Sequence, residues 1–344
     1  IIQLNSWNEL SLKTLQMRSL ALPTTTRNAY FEHWTEVIKK PESKKIPHRQ
    51  QLPSVSLAIM LTGKDLFVDW FISEYMNDLR DIIEEILIIV DDKPEHVSEA
   101  LENIHCNATK ADVPVRVVYK ADIDLEDLVK RHLGPTASVR TAGYAPKRQM
   151  LTSYLASIDL CQTTYCVHVD TDVFIHAFRS WVDQAISLMV DDSKLLSIGP
   201  PWSFLGFKTS YPHSLTDYGK KFYSGHGFTA RAFVMNRGTY QKILPLAFPH
   251  NTHWENMVAR TAPIKGCTVG ELDQNHTTAW AITLYGREVR KSFTNQDVKF
   301  AWKRVRANCV PNNQVGVAAI KSSDKREWGF PCGVQMSPLS AKAF

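Results

Sequence analysis

The alternation of buried strands with helices constrains the fold of this chain more than any other feature. Three apolar, β-branched runs are typical of strands: SVSLAIMLT (54–62), EEILIIVDD (84–92) and VRVVYKAD (115–122). Apolar residues at helical spacing follow the first run in DLFVDWFISEYMNDL (65–79). Strands joined through helices pair in parallel, and the helices then cover both faces of the sheet. We therefore predict an α/β fold with a mostly parallel sheet.

Composition shifts divide the chain into three parts. Residues 1–53 are rich in turn formers and are predicted to be a stem or N-terminal extension. Residues 54–295 hold the alternating pattern and form the predicted α/β domain. Residues 296–344 are basic and aromatic, and we expect an irregular segment that packs on the domain and binds the acceptor. Three of its cations are candidates for a lid over an anionic ligand: Lys303, Arg304 and Arg306.

Bulk properties exclude several classes. The net charge of +5 is too small for a nucleic-acid-binding signature, and no run approaches the roughly 18 apolar residues of a membrane span. The six cysteines contain no C-x-x-C pair, which disfavours zinc and leaves one to three disulfides open. The start at Ile1, the stem-like first fifty residues, the glycosylation sequons at Asn107 and Asn275 and the even cysteine count together favour a Golgi lumen location, as a type II protein with its anchor before Ile1. A soluble cytoplasmic enzyme is the alternative.

Two carboxylates, Asp170 and Asp172, end the apolar strand TYCVHVDTD (164–172). Buried charges need a partner, and an Asp-x-Asp at a strand end offers oxygen ligands to Mg²⁺ or Mn²⁺. The second strand also ends in acids, Asp91 and Asp92. Because ligands collect at the carboxyl ends of parallel strands, both pairs are candidate site residues. The alternative is that Asp170 and Asp172 cap the next helix.

Four segments in this order resemble the nucleotide-sugar half of a GT-A glycosyltransferase: SVSLAIMLTGKD, ILIIVDD, GYAPKRQMLTSYLAS and YCVHVDTDVF. The resemblance covers about residues 54–290 and is greatest to the inverting family 2 type. It implies a GT-A domain, with Rossmann-like helices on both faces of the sheet. It also implies transfer of a sugar from a nucleotide donor, with UDP favoured, to a hydroxyl of a glycan or glycoprotein acceptor. Mn²⁺ or Mg²⁺ is the implied cofactor.

The resemblance also implies where the donor binds. Asp170 and Asp172 would hold the metal and the diphosphate, and the nucleoside would contact Asp91 or Asp92. Lys147 and Arg148, at the start of the helix before the fourth strand, would reach the base or phosphates; a solvated helix end is the alternative.

The same resemblance places an acceptor base on an acidic motif that opens a helix. The run TVGELDQNHTTAWAI (268–282) has Asp273, our first candidate, and Glu271, our second, followed by a helix-like stretch. The alternative for Asp273 is a helix cap.

A glycine-bearing strand is implied beneath the donor sugar. In YSGHGFTARAFVMN (223–236), Gly225 and Gly227 would form its floor, with His226 facing the sugar or metal. A lone histidine is more often structural. No histidine follows His276, so the third metal ligand is His276, a water or absent.

Two other functions remain open. VHVDTDVF fits the pattern of haloacid dehalogenase-like phosphatases, although that motif usually follows the first strand of its domain. A degenerate glycosyltransferase domain that binds a nucleotide or sugar without turnover is the non-enzymatic alternative.

Overall fold

The computed structural model describes residues 53–62, 68–140, 148–201, 216–218, 222–224, 229–247, 253–272, 277–283 and 295–308. Its strands are β1 Val55–Leu61, β2 Ile83–Val90, β3 Val115–Tyr119, β4 Tyr165–Val169, β5 Val173–His176, β6 Leu195–Gly199, β7 Thr216–Tyr218, β8 Phe222–Ser224, β9 Ala232–Asn236, β10 Thr268–Leu272 and β11 Trp280–Thr283. Its α-helices are α1 Val68–Asp78, α2 Pro94–Ala111, α3 Leu125–Leu133, α4 Arg148–Leu160, α5 Phe178–Asp191, α6 Arg237–Lys242, α7 Trp254–Ile264 and α8 Asn295–Arg306. A 3₁₀ turn at Lys120–Asp122 follows β3.

Nine of these strands form one mixed sheet in the order β3-β2-β1-β4-β9-β6-β10-β8-β7. The pairs β2/β3, β1/β2, β1/β4 and β6/β10 are parallel, whereas β9 runs antiparallel between β4 and β6. Following the pairings across the sheet, β8 and β9 oppose the direction of the others. The predicted α/β fold with a mostly parallel sheet is confirmed.

Helices cover both faces of the sheet. Alternate residues of β2 belong to two buried clusters: Ile86 and Ile88 to one, Leu87 and Ile89 to the other. The first cluster takes side chains from α1, α2, α5 and α8, and the second from α3, α4, α6 and α7. Because side chains alternate along a strand, the position of a residue in β2, β4 or β9 decides which helical layer it meets.

The C-terminal segment corrects one expectation. Residues 295–306 are a helix, not an irregular segment, and Val298, Ala301, Trp302 and Val305 of α8 are buried in the first cluster. Arg306 pairs with Asp78 at the end of α1, where Arg306 Nη2 lies 2.8 Å from Asp78 Oδ1. The lid role of Lys303, Arg304 and Arg306 remains a prediction.

A second correction concerns the run after Glu271. Trp280–Thr283 is a strand, β11, that pairs antiparallel with β5, with Trp280 opposite His176. The predicted helix-like continuation is wrong for these residues. Trp280 and Ala281 are almost fully buried, and the apolar run is explained equally well by a short strand.

Candidate functional site

Three groups of acidic residues reach the carboxyl edge of the sheet. Asp170 and Asp172 follow β4, Asp91 follows β2, and Glu271 lies near the end of β10. β9 runs the other way, so its first residues, preceded by Arg231, meet the same edge. Carboxylates from distant parts of the sequence and one guanidinium are thus brought to one side of the molecule, where a ligand of an α/β sheet is expected.

Asp170 is buried and contacts one donor on helix α4 and one on its own strand, β4. The Tyr154 hydroxyl on α4 lies 3.3 Å from Asp170 Oδ2, and His168 Nε2 lies 3.1 Å from Asp170 Oδ1. The Asp170 amide donates to the carbonyl oxygen of Arg231 at 2.7 Å. Burial raises the pKa of Asp170, while the hydrogen bond from His168 acts against that shift. Burial also raises the pKa of Tyr154 well above its usual value, so its hydroxyl stays protonated and donates.

Asp172 is equally buried and pairs with Arg231. Arg231 Nη1 lies 3.1 Å from Asp172 Oδ2 and 3.3 Å from Oδ1. Burial alone would lower the pKa of Arg231, but the charges of Asp172 and Asp170 outweigh it and raise the pKa. The guanidinium therefore stays charged and partly neutralises the carboxylate pair.

The alternative that these carboxylates cap the next helix is wrong. A strand, β5, separates them from α5, and the residue before α5 is Ala177, which makes no side-chain cap. The Asp170 carbonyl instead accepts the Val173 amide at 3.0 Å, which closes a tight turn between β4 and β5. Neither side chain caps a helix, so both can contact neighbouring side chains and a ligand.

The structure separates Asp91 from Asp92. Lys120, at the end of β3, places Nζ 2.9 Å from Asp91 Oδ2, so Asp91 faces the neighbouring strand end. Asp92 Oδ1 accepts the amide of Lys93 at 2.7 Å and lies 2.7 Å from His96 Nδ1, at the start of α2. Asp91 is therefore the better candidate for a nucleoside contact, and Asp92 stabilises the start of a helix.

Glu271 is the acid of β10 that reaches the edge. It is the register partner of Gly199 at the end of β6, and it follows Val269, a member of the second cluster, by two residues. Alternation along β10 therefore turns Glu271 toward the same face as Tyr154 and Asp170. Burial raises the pKa of Glu271 to about 7 from its usual 4.5. A carboxyl group with that pKa can exchange a proton near neutral pH, as a general base must.

Several predicted residues lie outside the described part of the chain: Lys147, Asp273, His276, Gly225, His226 and Gly227. Arg148 begins α4. Their implied roles remain predictions.

Three residues of the site were not predicted from the sequence: Arg231, Tyr154 and His168. Arg231 was not predicted because nothing in the segment TARAF (229–233) indicates that β9 lies antiparallel beside β4. Tyr154 looks like one more apolar helix residue until the helix is placed against the strand. His168 carried a signal, since it shares the two-residue spacing of Asp170 and Asp172 on one strand.

The carboxylate oxygens of Asp170 and Asp172 are ligands of the type that a hard divalent cation prefers, but they are few. Two buried carboxylates, one with a raised pKa, are an environment in which a cation would stabilise the charged form. The described ranges contain no cluster of three or more His, Cys, Asp or Glu side chains placed to hold a metal. Further ligands would come from outside those ranges, from water or from a bound phosphate. Among the described helices, none has the length and apolar character needed to cross a membrane.

Comparison with known proteins gives structural likeness without sequence kinship. No family model matches the chain, and no curated protein matches its sequence. GalNAc-T7 with UDP, GalNAc and Mn²⁺ aligns at 11% identity and a TM-score of 0.46 over 77% of this chain, which spans only 49% of that protein.

Two further solved structures are similar at the same level. A mannosyltransferase from Pyrobaculum calidifontis, in complex with GDP-Man and Mn²⁺, aligns at 11% identity and a TM-score of 0.47, covering 82% of this chain and 72% of its own. Glucosyl-3-phosphoglycerate synthase from Mycobacterium tuberculosis, with Mn²⁺, UDP and glucosyl-3-phosphoglycerate, aligns at 10% and 0.36, covering 64% and 69%. At these identities and scores, the activity of this chain has to be argued from its own site.

Proposed function

We propose that this chain is a metal-dependent glycosyltransferase that moves a sugar from a nucleotide sugar, with UDP favoured, to a hydroxyl group of an acceptor. The observation that carries the proposal is that Asp170, Asp172 and Glu271 all lie at the carboxyl edge of the sheet, with β9 and β6 between the aspartates and Glu271. The first two are suited to the donor diphosphate and its metal. The third has the pKa of a general base.

Asp170 and Asp172 would hold Mn²⁺ or Mg²⁺. The metal, when bound, supplies positive charge that stabilises the diphosphate as it leaves the sugar. Tyr154 and His168 keep the Asp170 carboxylate in a fixed orientation through their 3.3 and 3.1 Å contacts. Because this orientation exists before the ligand binds, less order has to be created on binding.

Glu271 would remove the proton from the acceptor hydroxyl. As the acceptor oxygen bonds to the anomeric carbon, the bond from that carbon to the diphosphate oxygen breaks on the opposite side, so inversion is the expected outcome. Above pH 7 Glu271 is mostly ionised and ready to accept the proton. Asp273 remains the first candidate from the sequence.

Asp91 and Lys120 would bind the nucleoside end of the donor. Their 2.9 Å pair lies at the ends of β2 and β3, at the same edge as the metal site and to one side of it across β1. A donor laid along this edge would place its nucleoside near Asp91 and its diphosphate near Asp170. A glycan or glycoprotein acceptor and residence in the Golgi lumen belong to the same proposal.

The test is isothermal titration with UDP and GDP, in Mn²⁺ and in EDTA, on the wild type and on Asp172→Asn. We expect one nucleotide to bind only with Mn²⁺, and the substitution to abolish binding. Asp191→Asn is the matched control, since Asp191 is exposed at the end of α5 and away from the carboxyl edge.

Donor hydrolysis and transfer assays with the nucleotide sugar that binds would then separate an enzyme from a binding domain. Failure of both nucleotides to bind the wild type with any metal would refute the proposal. The phosphatase alternative would then be tested with Asp170→Asn, although Asp170 follows the fourth strand of the sheet and not the first.

A further inference from the structure

Arg231 contacts both aspartates of the Asp-x-Asp turn, Asp170 through the backbone and Asp172 through the side chains. Its carbonyl oxygen accepts the Asp170 amide at 2.7 Å, and its Nη1 lies 3.1 Å from Asp172 Oδ2. The backbone contact fixes where the side chain starts, because residue 231 immediately precedes β9, which pairs with β4 along its length. The guanidinium therefore occupies part of the space beside the Asp172 carboxylate in which a cation would bind.

A metal that binds to Asp172 without a nucleotide has to compete with this guanidinium. The side chain of Arg231 is half-buried, and like charges repel more strongly there than in bulk water. A diphosphate changes this competition, because guanidinium groups form charge-assisted, often bidentate, hydrogen bonds to phosphate oxygens.

We propose that Arg231 exchanges partners when the donor binds: it moves from Asp172 to the diphosphate, and the metal takes its place on Asp172. This inference rests on the proposed function. It adds Arg231 to the donor site and predicts that metal binding and nucleotide binding are coupled. Metal and nucleotide each favour the arrangement that the other needs. Their affinities are therefore coupled, and the coupling is reciprocal.

The experiment measures Mn²⁺ affinity from the electron paramagnetic resonance signal of free Mn²⁺, with and without UDP or whichever nucleotide binds. In the wild type we expect weak binding of Mn²⁺ alone and much tighter binding with the nucleotide. Arg231→Gln removes the competing charge. It should tighten Mn²⁺ binding in the absence of nucleotide by about fivefold or more, and should reduce the nucleotide-dependent gain by about tenfold.

Two variants serve as controls. Arg231→Lys keeps the charge and should retain weak binding of Mn²⁺ alone, which also shows whether a change at this position is tolerated. Arg260→Gln alters an exposed arginine on α7 and should behave as the wild type.

The outcomes distinguish this inference from the proposed function. Wild type that binds no nucleotide with any metal contradicts the glycosyltransferase proposal. The second outcome is that the wild type binds nucleotide with Mn²⁺, but Arg231→Gln binds Mn²⁺ alone no more tightly than the wild type does. That result would overturn only the exchange of partners. Unchanged coupling in Arg231→Gln would overturn it as well.

Discussion

Glu271 lies directly beside Gly199: a Cβ atom added to Gly199 would stand 3.5 Å from Glu271 Cγ and 3.5 Å from the Ala232 carbonyl oxygen. These are ordinary contact distances, so a methyl group fits and anything larger must displace the acid. Gly199→Ala should therefore fold and retain activity, whereas Gly199→Val should lose most transfer activity. Thermal melting and donor turnover of both variants test this expectation, which fails if the two behave alike.

The raised pKa of Glu271 predicts a pH-dependent stability. A carboxyl group with a folded pKa of about 7 and a usual value of 4.5 binds its proton more tightly in the folded protein, so its contribution to stability falls as pH rises through that interval. At pH 8 the cost is up to about 3 kcal/mol. Glu271→Gln should remove this cost, so the variant should gain in melting temperature over the wild type at pH 8 and not at pH 4.

The same pKa predicts the pH profile of turnover. If Glu271 is the base, kcat should rise with pH through about 7, and Glu271→Gln should abolish both the activity and that limb of the profile. A Glu271→Gln enzyme with wild-type kcat would assign the base elsewhere, with Asp273 next to be changed.

Tyr154 should support metal binding without touching the metal. Its hydroxyl donates to Asp170, so Tyr154→Phe removes one of the two donors that orient this carboxylate. We expect Mn²⁺ affinity to fall about tenfold while the fold is kept, since the ring still packs in the second cluster. Tyr119→Phe on β3 is the control. Equal Mn²⁺ affinity in Tyr154→Phe and wild type would contradict an orienting role.

The neighbouring acids at the end of β2 should have different effects. Asp91→Asn should weaken nucleotide binding by about tenfold and leave Mn²⁺ binding unchanged, because it alters the group paired with Lys120. Asp92→Asn should leave nucleotide binding within about twofold and lower stability by at most about 1 kcal/mol, because it removes the negative charge at the start of α2. Titration and thermal melting of the two variants decide between them.

Cys161 and Cys166 should form a disulfide under oxidising conditions. Both are buried thiols, and their sulfur atoms lie 2.7 Å apart at the junction of α4 and β4. Exchange with glutathione disulfide removes one hydrogen from each thiol and releases two molecules of reduced glutathione. After such treatment, alkylation of the denatured protein and mass spectrometry should find Cys161 and Cys166 unalkylated and joined to each other, whereas Cys106 and Cys267 carry either the alkyl group or glutathione. Alkylation of both Cys161 and Cys166 would contradict the prediction.

The fold was predictable where local pattern and topology agree. The runs ending at Asp91 and Asp172 became strands at the carboxyl edge because β-branched residues, short length and terminal acids all indicate the same structure. The helix before β4 was also predicted in place. α2 was missed although Val97, Leu101, Ile104 and Ala108 carry its buried face at helical spacing.

The part of the site that sequence could not supply depends on strands that are far apart in the chain. Arg231 contacts Asp172 only because β9 lies between β4 and β6 in the sheet. Local sequence patterns do not predict that strand order. Glu271 was a candidate from the sequence, but its raised pKa depends on burial, and that burial depends on neighbouring strands.

The short strand β5, which follows Asp172, is stabilised by residues that lie much later in the sequence. His176 Nδ1 lies 3.0 Å from the carbonyl oxygen of Val305, and Trp280 Nε1 donates to Asn308 Oδ1 at 2.9 Å. The turn that carries the two aspartates is therefore not fully supported until α8 has emerged and docked. A nascent chain stopped before residue 295 would leave an apolar strand uncovered, so premature termination should yield a substrate for chaperones and proteases, not a smaller enzyme.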